Sequence, residues 1–394
     1  MLFIKQAVLC LISPLHLPRR FATWWILKNH ILKRVGEIYK RTSMKDLLKI
    51  RIKALLLIAI FLLSVVGGLS AKKIAIIDAG SSGSRFYVYD IDDNTKVLTT
   101  LYPIGDKVDA SKGVALSCIN NCQKCVDSFL TTMTCKYSNP DKFNPIDLYV
   151  LATAGMRLVN SIEANSIYTK MKNTSLSGYK LEKAMTISGR YEGIYAWIAA
   201  NYKNGELKWD SGKKSWSFAN PNGILEIGGA SMQIAYKVSS VQSEDCIRHN
   251  KFGVIYSKSY LGGGADQVFE KNESVKQTDF GVGLDDIKSM IIASKVTFVG
   301  LGTPLRVASE GAKGLSCEDL NHYATTINAR DTKENHHPKM NVEYIVNVFE
   351  KWGLDGKIDL AKDESDWTVG VALDIVVNDN KNPEAFNYST KKPN

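Results

Sequence analysis

Two segments of this 394-residue chain follow one plan, and their repetition limits the folds it can adopt. Ile76-Ile77-Asp78-Ala79-Gly80-Ser81-Ser82-Gly83-Ser84 and Leu225-Glu226-Ile227-Gly228-Gly229-Ala230-Ser231 each run from an apolar stretch through acid-x-Gly into small residues, and a second apolar stretch follows. Apolar, β-branched runs broken by Gly-rich steps read as strand, tight turn and returning strand. Asp78 and Glu226 lie 148 residues apart, roughly a domain length, so two related halves are expected. Each half would present a hairpin loop of phosphate size.

The rest of the body supports an α/β class. Strands are predicted at 73–77, 85–91, 147–152, 223–227, 232–238, 254–257 and 295–299. Helical spacing recurs at 161–172, 192–202, 266–270, 285–293, 319–328 and 342–352. The apolar run 369–377 reads as either a strand or a short helix. Strands and helices alternate without a clean break, and no solenoid-length repeat is present.

Charge and hydropathy set the N-terminal region apart. The chain carries a net charge of +10, and the residues up to Ala71 account for all of it, with twelve basic side chains against Glu37 and Asp46. From Lys72 onward the charges balance, so the basic pI points to no nucleic-acid partner. Met44 to Lys53 is basic, Ala54 to Val66 is apolar apart from Ser64, and Gly67 to Ala71 is small. That is the form of a secretory signal peptide over 44–71, and an uncleaved membrane anchor is the competing reading. Residues 1–43 are taken as a mis-assigned extension ahead of a start at Met44, with a basic membrane-surface segment as the alternative. Apart from Cys10, six cysteines remain (Cys118, Cys122, Cys125, Cys135, Cys246 and Cys317). An even number in an exported chain predicts up to three disulfides of unassigned pairing. The C-x3-C-x2-C-x9-C cluster leaves a zinc site as the other possibility.

The two loops carry the chemistry. Gly80 and Gly83 admit backbone conformations in which amides converge on an anion. Ser81, Ser82 and Ser84 add hydroxyl donors and Arg85 a charged one. Asp78, at a strand end, suits an acceptor for a metal-bound water. In the second loop, Gly228, Gly229 and Ala230 would face the same anion, while Ser231 and Gln233 alternate onto one side of the next strand and can orient a water. A Gly-Ser hairpin with a capping Asp, and a packed Gly-Gly turn, are the structural alternatives. His322, His336 and His337 form no recognisable metal set.

With these residues in place, the chain resembles the ectonucleoside triphosphate diphosphohydrolase (apyrase) family. Five stretches match that family's signature regions in order: Asp78 to Arg85; Ala152-Thr153-Ala154-Gly155-Met156-Arg157-Leu158; Ser188-Gly189-Arg190-Tyr191-Glu192 on to Tyr202; Glu226 to Gln233; and Trp367-Thr368-Val369-Gly370. Ser259 to Gly264 is similar to the stretch that follows the fourth. The resemblance implies two RNase H-like, actin-like lobes with a nucleotide cleft between them. Residues 72–188 plus 360–394 would form lobe I and 189–359 lobe II. It further implies hydrolysis of the terminal phosphate of nucleoside tri- and diphosphates with a divalent cation, Mg²⁺, Ca²⁺ or Mn²⁺, in a secreted, extracellular or periplasmic setting.

By the same resemblance, Glu192 is the general base, Ser231 and Gln233 position the water, and Thr153 lies near the reacting phosphate. Asp78 and Glu226 hold the cation's water shell, with Trp367 beside it, and the phosphate loops are those named above. Arg157 reads as a surface or structural cation. The fourth region usually begins with Asp, and Glu226 is one methylene longer; Gly83 stands where many relatives carry a bulkier polar residue. An exopolyphosphatase-like phosphatase and a non-hydrolysing nucleotide sensor of the same fold are the rival readings. The match around Glu192 argues against the first, and retained Glu192, Ser231 and Gln233 against the second. Base recognition is expected from aromatic or Arg side chains of the second lobe.

Overall fold

A computed structural model describes residues 71–103, 113–141, 143–275, 284–327, 338–361, 366–378 and 385–387. The chain divides into Met1–Leu69 and Ser70–Asn394, and all described residues belong to the second unit. The expected extension 1–43 and, but for Ala71, the signal segment 44–71 lie outside the described residues, as do Cys10, His336 and His337.

The first half is a five-stranded sheet. It contains β1 (Ala71–Ala79), β2 (Ser84–Asp92), β3 (Leu98–Tyr102), β4 (Ile146–Ala152) and β5 (Tyr179–Thr186), in the order β3-β2-β1-β4-β5. Helices α1 (Gln123–Thr134), α2 (Ala154–Leu158) and α3 (Ser161–Lys172) connect its strands, and α4 (Gly189–Lys203) follows. Next come a small hairpin, β6 (Leu207–Asp210) and β7 (Ser215–Phe218), and then β8 (Gly223–Ile227), β9 (Ser231–Val238), β10 (Cys246–His249) and β11 (Gly253–Leu261). The chain continues through α5 (Ala265–Val275), α6 (Lys288–Ser294), β12 (Phe298–Leu301), α7 (Thr303–Ala312), α8 (Cys317–Thr326), α9 (Pro338–Trp352), β13 (Ile358–Leu360) and α10 (Trp367–Asn378). The second large sheet has the order β10-β11-β9-β8-β12-β13.

The two sheets repeat one topology. In each, an antiparallel hairpin (β1–β2, β8–β9) is extended by antiparallel strands on one side, β3 in the first sheet and β11 and β10 in the second, and by two parallel strands on the other. The echo in sequence is thus an echo in fold. Strand alternation sorts the core into layers. Ala75, Ile77 and Ala79 of β1 pack with Val126 and Phe129 of α1 and Ile167 of α3. Ile74 and Ile76 share a cluster with α4, α10 and Ile224 of β8. On the far face of the second sheet, Leu225 and Ile227 join Leu305, Leu320 and Phe349 of α7, α8 and α9.

Helices α4 and α10 therefore lie between the sheets. Every residue of α4 from Glu192 to Asn201 is buried, as expected of a helix enclosed on all sides. The undecided run 369–377 is helical and belongs to α10, whose residues from Trp367 to Ile375 are buried all round, so that neither period shows clearly in the sequence. The two helices touch backbone to backbone, because a Cβ on Gly370 would stand 2.0 Å from the Tyr195 carbonyl oxygen. The strand expected at 295–299 begins later, at Phe298, because Lys295 takes φ 53° and closes α6 in the left-handed conformation.

Among the described residues one disulfide forms, Cys122–Cys125, fewer than the three allowed for. Cys118 and Cys135 are exposed free thiols. Cys246 and Cys317 are buried in the apolar layer of the second sheet, where burial pushes the Cys317 thiol up to about 12. The disulfide takes two of the four clustered thiols, so the zinc reading of that cluster falls.

At the far edge of the second sheet, His249 Nε2 lies 3.3 Å from Asp374 Oδ1 of α10, with both side chains buried. Lys251 N–H donates to His249 Nδ1 at 3.4 Å, which puts the ring proton on Nε2, the nitrogen that faces Asp374. This polar contact ties the central helix to β10. Replacing His249 with Leu removes a polar partner from a buried carboxylate and is expected to lower unfolding free energy by about 1–3 kcal/mol in urea titrations. An unchanged midpoint would show that the contact contributes nothing.

Candidate active site

The topology gathers the ends of several elements at one place. Asp78 sits near the C-terminal end of β1, and Thr153 follows the adjacent end of β4, its N–H donating to Ala79 O at 3.2 Å. Glu226 is near the end of β8, paired with Gln233 on β9 and Leu301 on β12. Helix α4 starts there too. Ser188 caps it by accepting the Tyr191 N–H, and Glu192 lies in the first turn. Asp78, Thr153, Glu192, Glu226, Ser231 and Trp367 all line one cleft of about 690 Å³.

The two small-residue loops face each other across it. A Cβ on Gly229 would stand 3.1 Å from Ser81 Oγ. Each loop is supported from behind by a glycine that tolerates no side chain. A Cβ on Gly155 would meet Ser81 Cα at 2.9 Å, and one on Gly264 would meet the Gly229 carbonyl carbon and the Ala230 nitrogen at 2.4 Å. The second loop is also pinned by its carbonyls: Gly228 O accepts from Ala265 N–H, Gly229 O from Asp266 N–H and Ala230 O from Gly262 N–H, at 2.8–3.0 Å.

Behind the loops lies a hydrogen-bonded set. Gln233 Nε2 is 2.6 Å from Ser231 Oγ, 3.2 Å from Glu192 Oε2 and 3.2 Å from Ser259 Oγ. Arg157 forms an ion pair with Glu192 through Nη2. Gln233 is set back from the cleft lining and reaches it through Ser231 and Glu192.

Carboxylates crowd the cleft. Burial pushes the Asp78 carboxyl well above its ordinary value; the charges of Asp366 and Glu192 add to this, and Arg85, 3.9 Å away, opposes it. Glu226 is also pushed well up, first by burial and then by Glu192, Asp366 and Asp78. Asp78 Oδ1 and Glu226 Oε2 are buried without a hydrogen-bond partner. Two orphaned carboxylate oxygens among four acidic groups are what a divalent cation with its water shell would satisfy, so the residues fit one. Among the described residues no group of three or more His, Cys, Asp and Glu side chains is placed to hold a metal ion.

Of the expected phosphate-loop residues, Ser81, Ser82, Arg85, Gly228, Gly229 and Ala230 line the cleft. Gly83 and Ser84 do not. Ser84 begins β2, is fully buried, and pairs through its backbone with Gly113, so its hydroxyl turns into the protein. Arg157 is no surface cation either: it is 1% exposed. Asp366 and Ser259 were not anticipated. Asp366 adjoins the signature Trp367, and Ser259 lies opposite Gln233 in the β9–β11 register, so the first had a signal in the sequence and the second needed the pairing.

A family model, GDA1/CD39 (nucleoside phosphatase) family, matches residues 70–286. The Caenorhabditis elegans nucleoside-triphosphatase ntp-1 is 29% identical over 228 residues, covering 50% of this chain and 40% of that protein. Probable apyrase 3 of Arabidopsis thaliana is 31% identical over 210 residues, 50% and 41% of the two chains. Human ectonucleoside triphosphate diphosphohydrolase 3 is 28% identical over 221 residues, 51% and 40%. The chain thus spans about two fifths of the length of these relatives. In fold it is similar to nucleoside triphosphate hydrolases from Neospora caninum, with a TM-score of 0.55 and 12% identity over 79% of this chain and 93% of that one. The fold is therefore the two-lobed, actin-like one.

The backing of the second loop is testable. Gly264→Ala drives a methyl into the Gly229–Ala230 peptide, and a displacement of ~1 Å in a positioned group can cost about 10²-fold. Calorimetric affinity for a phosphate-bearing nucleotide is expected to fall by that order, and wild-type affinity would show that the loop is not an anion site.

Proposed function

Since the chain belongs to the GDA1/CD39 (nucleoside phosphatase) family, we propose that it hydrolyses the terminal phosphate of nucleoside triphosphates and diphosphates with the help of a divalent cation. The observation that carries this reading is the convergence of two opposed small-residue loops and a helix-terminal carboxylate on one cleft.

Phosphoryl transfer asks a protein for positioning and charge neutralisation more than for covalent chemistry. Ser81 and Ser82 grip the phosphates from one side, with Arg85 adding a positive charge, and Gly228, Gly229 and Ala230 close from the other. Ser231 and Gln233 orient a water. Glu192 accepts its proton as the water's oxygen bonds to the terminal phosphorus, and Thr153 contributes a hydroxyl close to that phosphate. The bond to the bridging oxygen breaks, releasing phosphate and the shortened nucleotide. Asp78 and Glu226, near Trp367, would hold Mg²⁺, Ca²⁺ or Mn²⁺ through its waters, and the bound cation would supply charge neutralisation. We place the reaction outside the cytoplasm, on the basic-then-apolar segment 44–71 and the Cys122–Cys125 disulfide.

Phosphate release by the full chain from ATP, ADP, AMP and polyphosphate, with Mg²⁺ or Ca²⁺, tests the reading. Release from ATP or ADP but not AMP is expected, abolished by EDTA and reduced about 10²–10⁴-fold in Glu192→Gln. Cleavage of polyphosphate alone would make the protein an exopolyphosphatase, and nucleotide binding without release would make it a sensor.

Glu226 is tested separately. Glu226→Asp is expected to keep activity and Glu226→Ala to lose most of it, because only the former retains a carboxylate for the cation's water. Undiminished turnover in Glu226→Ala would remove the residue from the mechanism.

A further inference from the structure

We infer that Arg157 is a positioning residue: it pins Oε2 of Glu192 and so leaves Oε1 as the oxygen that takes the proton. This rests on the hydrolytic reading above. The Arg157 guanidinium holds Glu192 Oε2 through Nη2 and the Ile187 carbonyl through Nε at 3.1 Å. Ile187 directly precedes Ser188, the cap of α4, so one planar fork grips the entry to the helix and the carboxylate on its first turn. Gln233 Nε2 donates to the same oxygen at 3.2 Å.

Both bonds fall on Oε2, and Glu192 lines the cleft. The terminal torsion of a glutamate is otherwise broad and two-fold. Turning the carboxylate out of this orientation would break a buried charge-assisted pair and the glutamine bond together, so one oxygen stays held and the other stays free. Arg157 itself is set back from the cleft lining. Its Nη1 is buried without a hydrogen-bond partner, so the guanidinium is not placed to satisfy all its own donors. Gly189 makes room for this frame: a Cβ there would stand 2.2 Å from Ser259 Oγ and 3.1 Å from Arg157 Nη1. Ser259 in turn accepts from Gln233 at 3.2 Å. Arg157, Ser259 and Gln233 thus form one rigid wall behind the base.

A residue that orients the base alters turnover and leaves nucleotide binding alone. The test compares the full chain with its Arg157→Lys and Arg157→Met variants, measuring steady-state ATP hydrolysis and the calorimetric affinity for a non-hydrolysable ATP analogue. Lysine keeps the buried charge but cannot bond Ile187 O and Glu192 with one fixed fork, so Arg157→Lys carries the test if Arg157→Met does not fold. Expected is a fall in kcat of about 10²-fold with KM and analogue affinity unchanged. Added guanidinium should restore part of the kcat lost in Arg157→Ala and none of that lost in Glu192→Gln. Wild-type kcat in Arg157→Lys would overturn the inference while leaving the hydrolytic reading intact, and so would a raised KM with kcat retained. No release from ATP or ADP by the wild-type chain would overturn both.

Discussion

The site depends on the backbone contact between α4 and α10. These helices fill the space between the two sheets, and they approach so closely at Gly370 and Tyr195 that no side chain fits between them. The contact sets two things at once. It fixes the N-terminus of α4, and with it Glu192, at the mouth of the cleft. It also fixes the start of α10, where Asp366 and Trp367 face the ends of β1 and β8. A packed interior has little slack, so a shift in either helix would move residues from both ends of the cleft together. The His249–Asp374 contact at the other end of α10 holds the same helix against the second sheet.

That rigidity carries an electrostatic cost. Asp78, Glu192, Glu226 and Asp366 sit close enough for their charges to act on one another, and burial alone already disfavours ionised Asp78 and Glu226. Arg85 opposes the effect at Asp78 and Arg157 at Glu226. Along the cleft wall five acidic side chains (Asp78, Glu192, Glu226, Asp266 and Asp366) stand against three basic ones (Arg85, Lys203 and Arg306). On the proposed reading, this acidic excess favours a nucleotide that arrives with a cation over a bare anion.

Much of this was legible in sequence, and the gaps have physical causes. Helix α3 is legible at both ends because Asn160 caps it locally, accepting the Glu163 N–H at 2.9 Å. The loops were legible because small residues after an acidic strand end have few other uses. Helix α10 was ambiguous because burial on every side erases the polar positions that mark a period. The β6–β7 hairpin escaped notice: its strands have four residues each, and Trp209 and Trp216 pack edge to face with a ring centroid separation of 5.4 Å. Arg157 read as either a surface or a structural cation because its partner lies 35 residues away. Ser84 looked like a ligand because alternation along a strand does not reveal which face the loop serves.

On the proposed reading, the duplicated topology also accounts for a base that comes from neither loop. Each repeat ends its first strand in a carboxylate, and the near-symmetry of the halves points Asp78 and Glu226 toward a shared centre. A group serving as base at that centre would compete with the cation for the same oxygens. Glu192 avoids the conflict because it belongs to the segment joining the halves, and Arg157 of the first half and Gln233 of the second both bind it. A carboxylate held from both lobes is in place only when the lobes are in register.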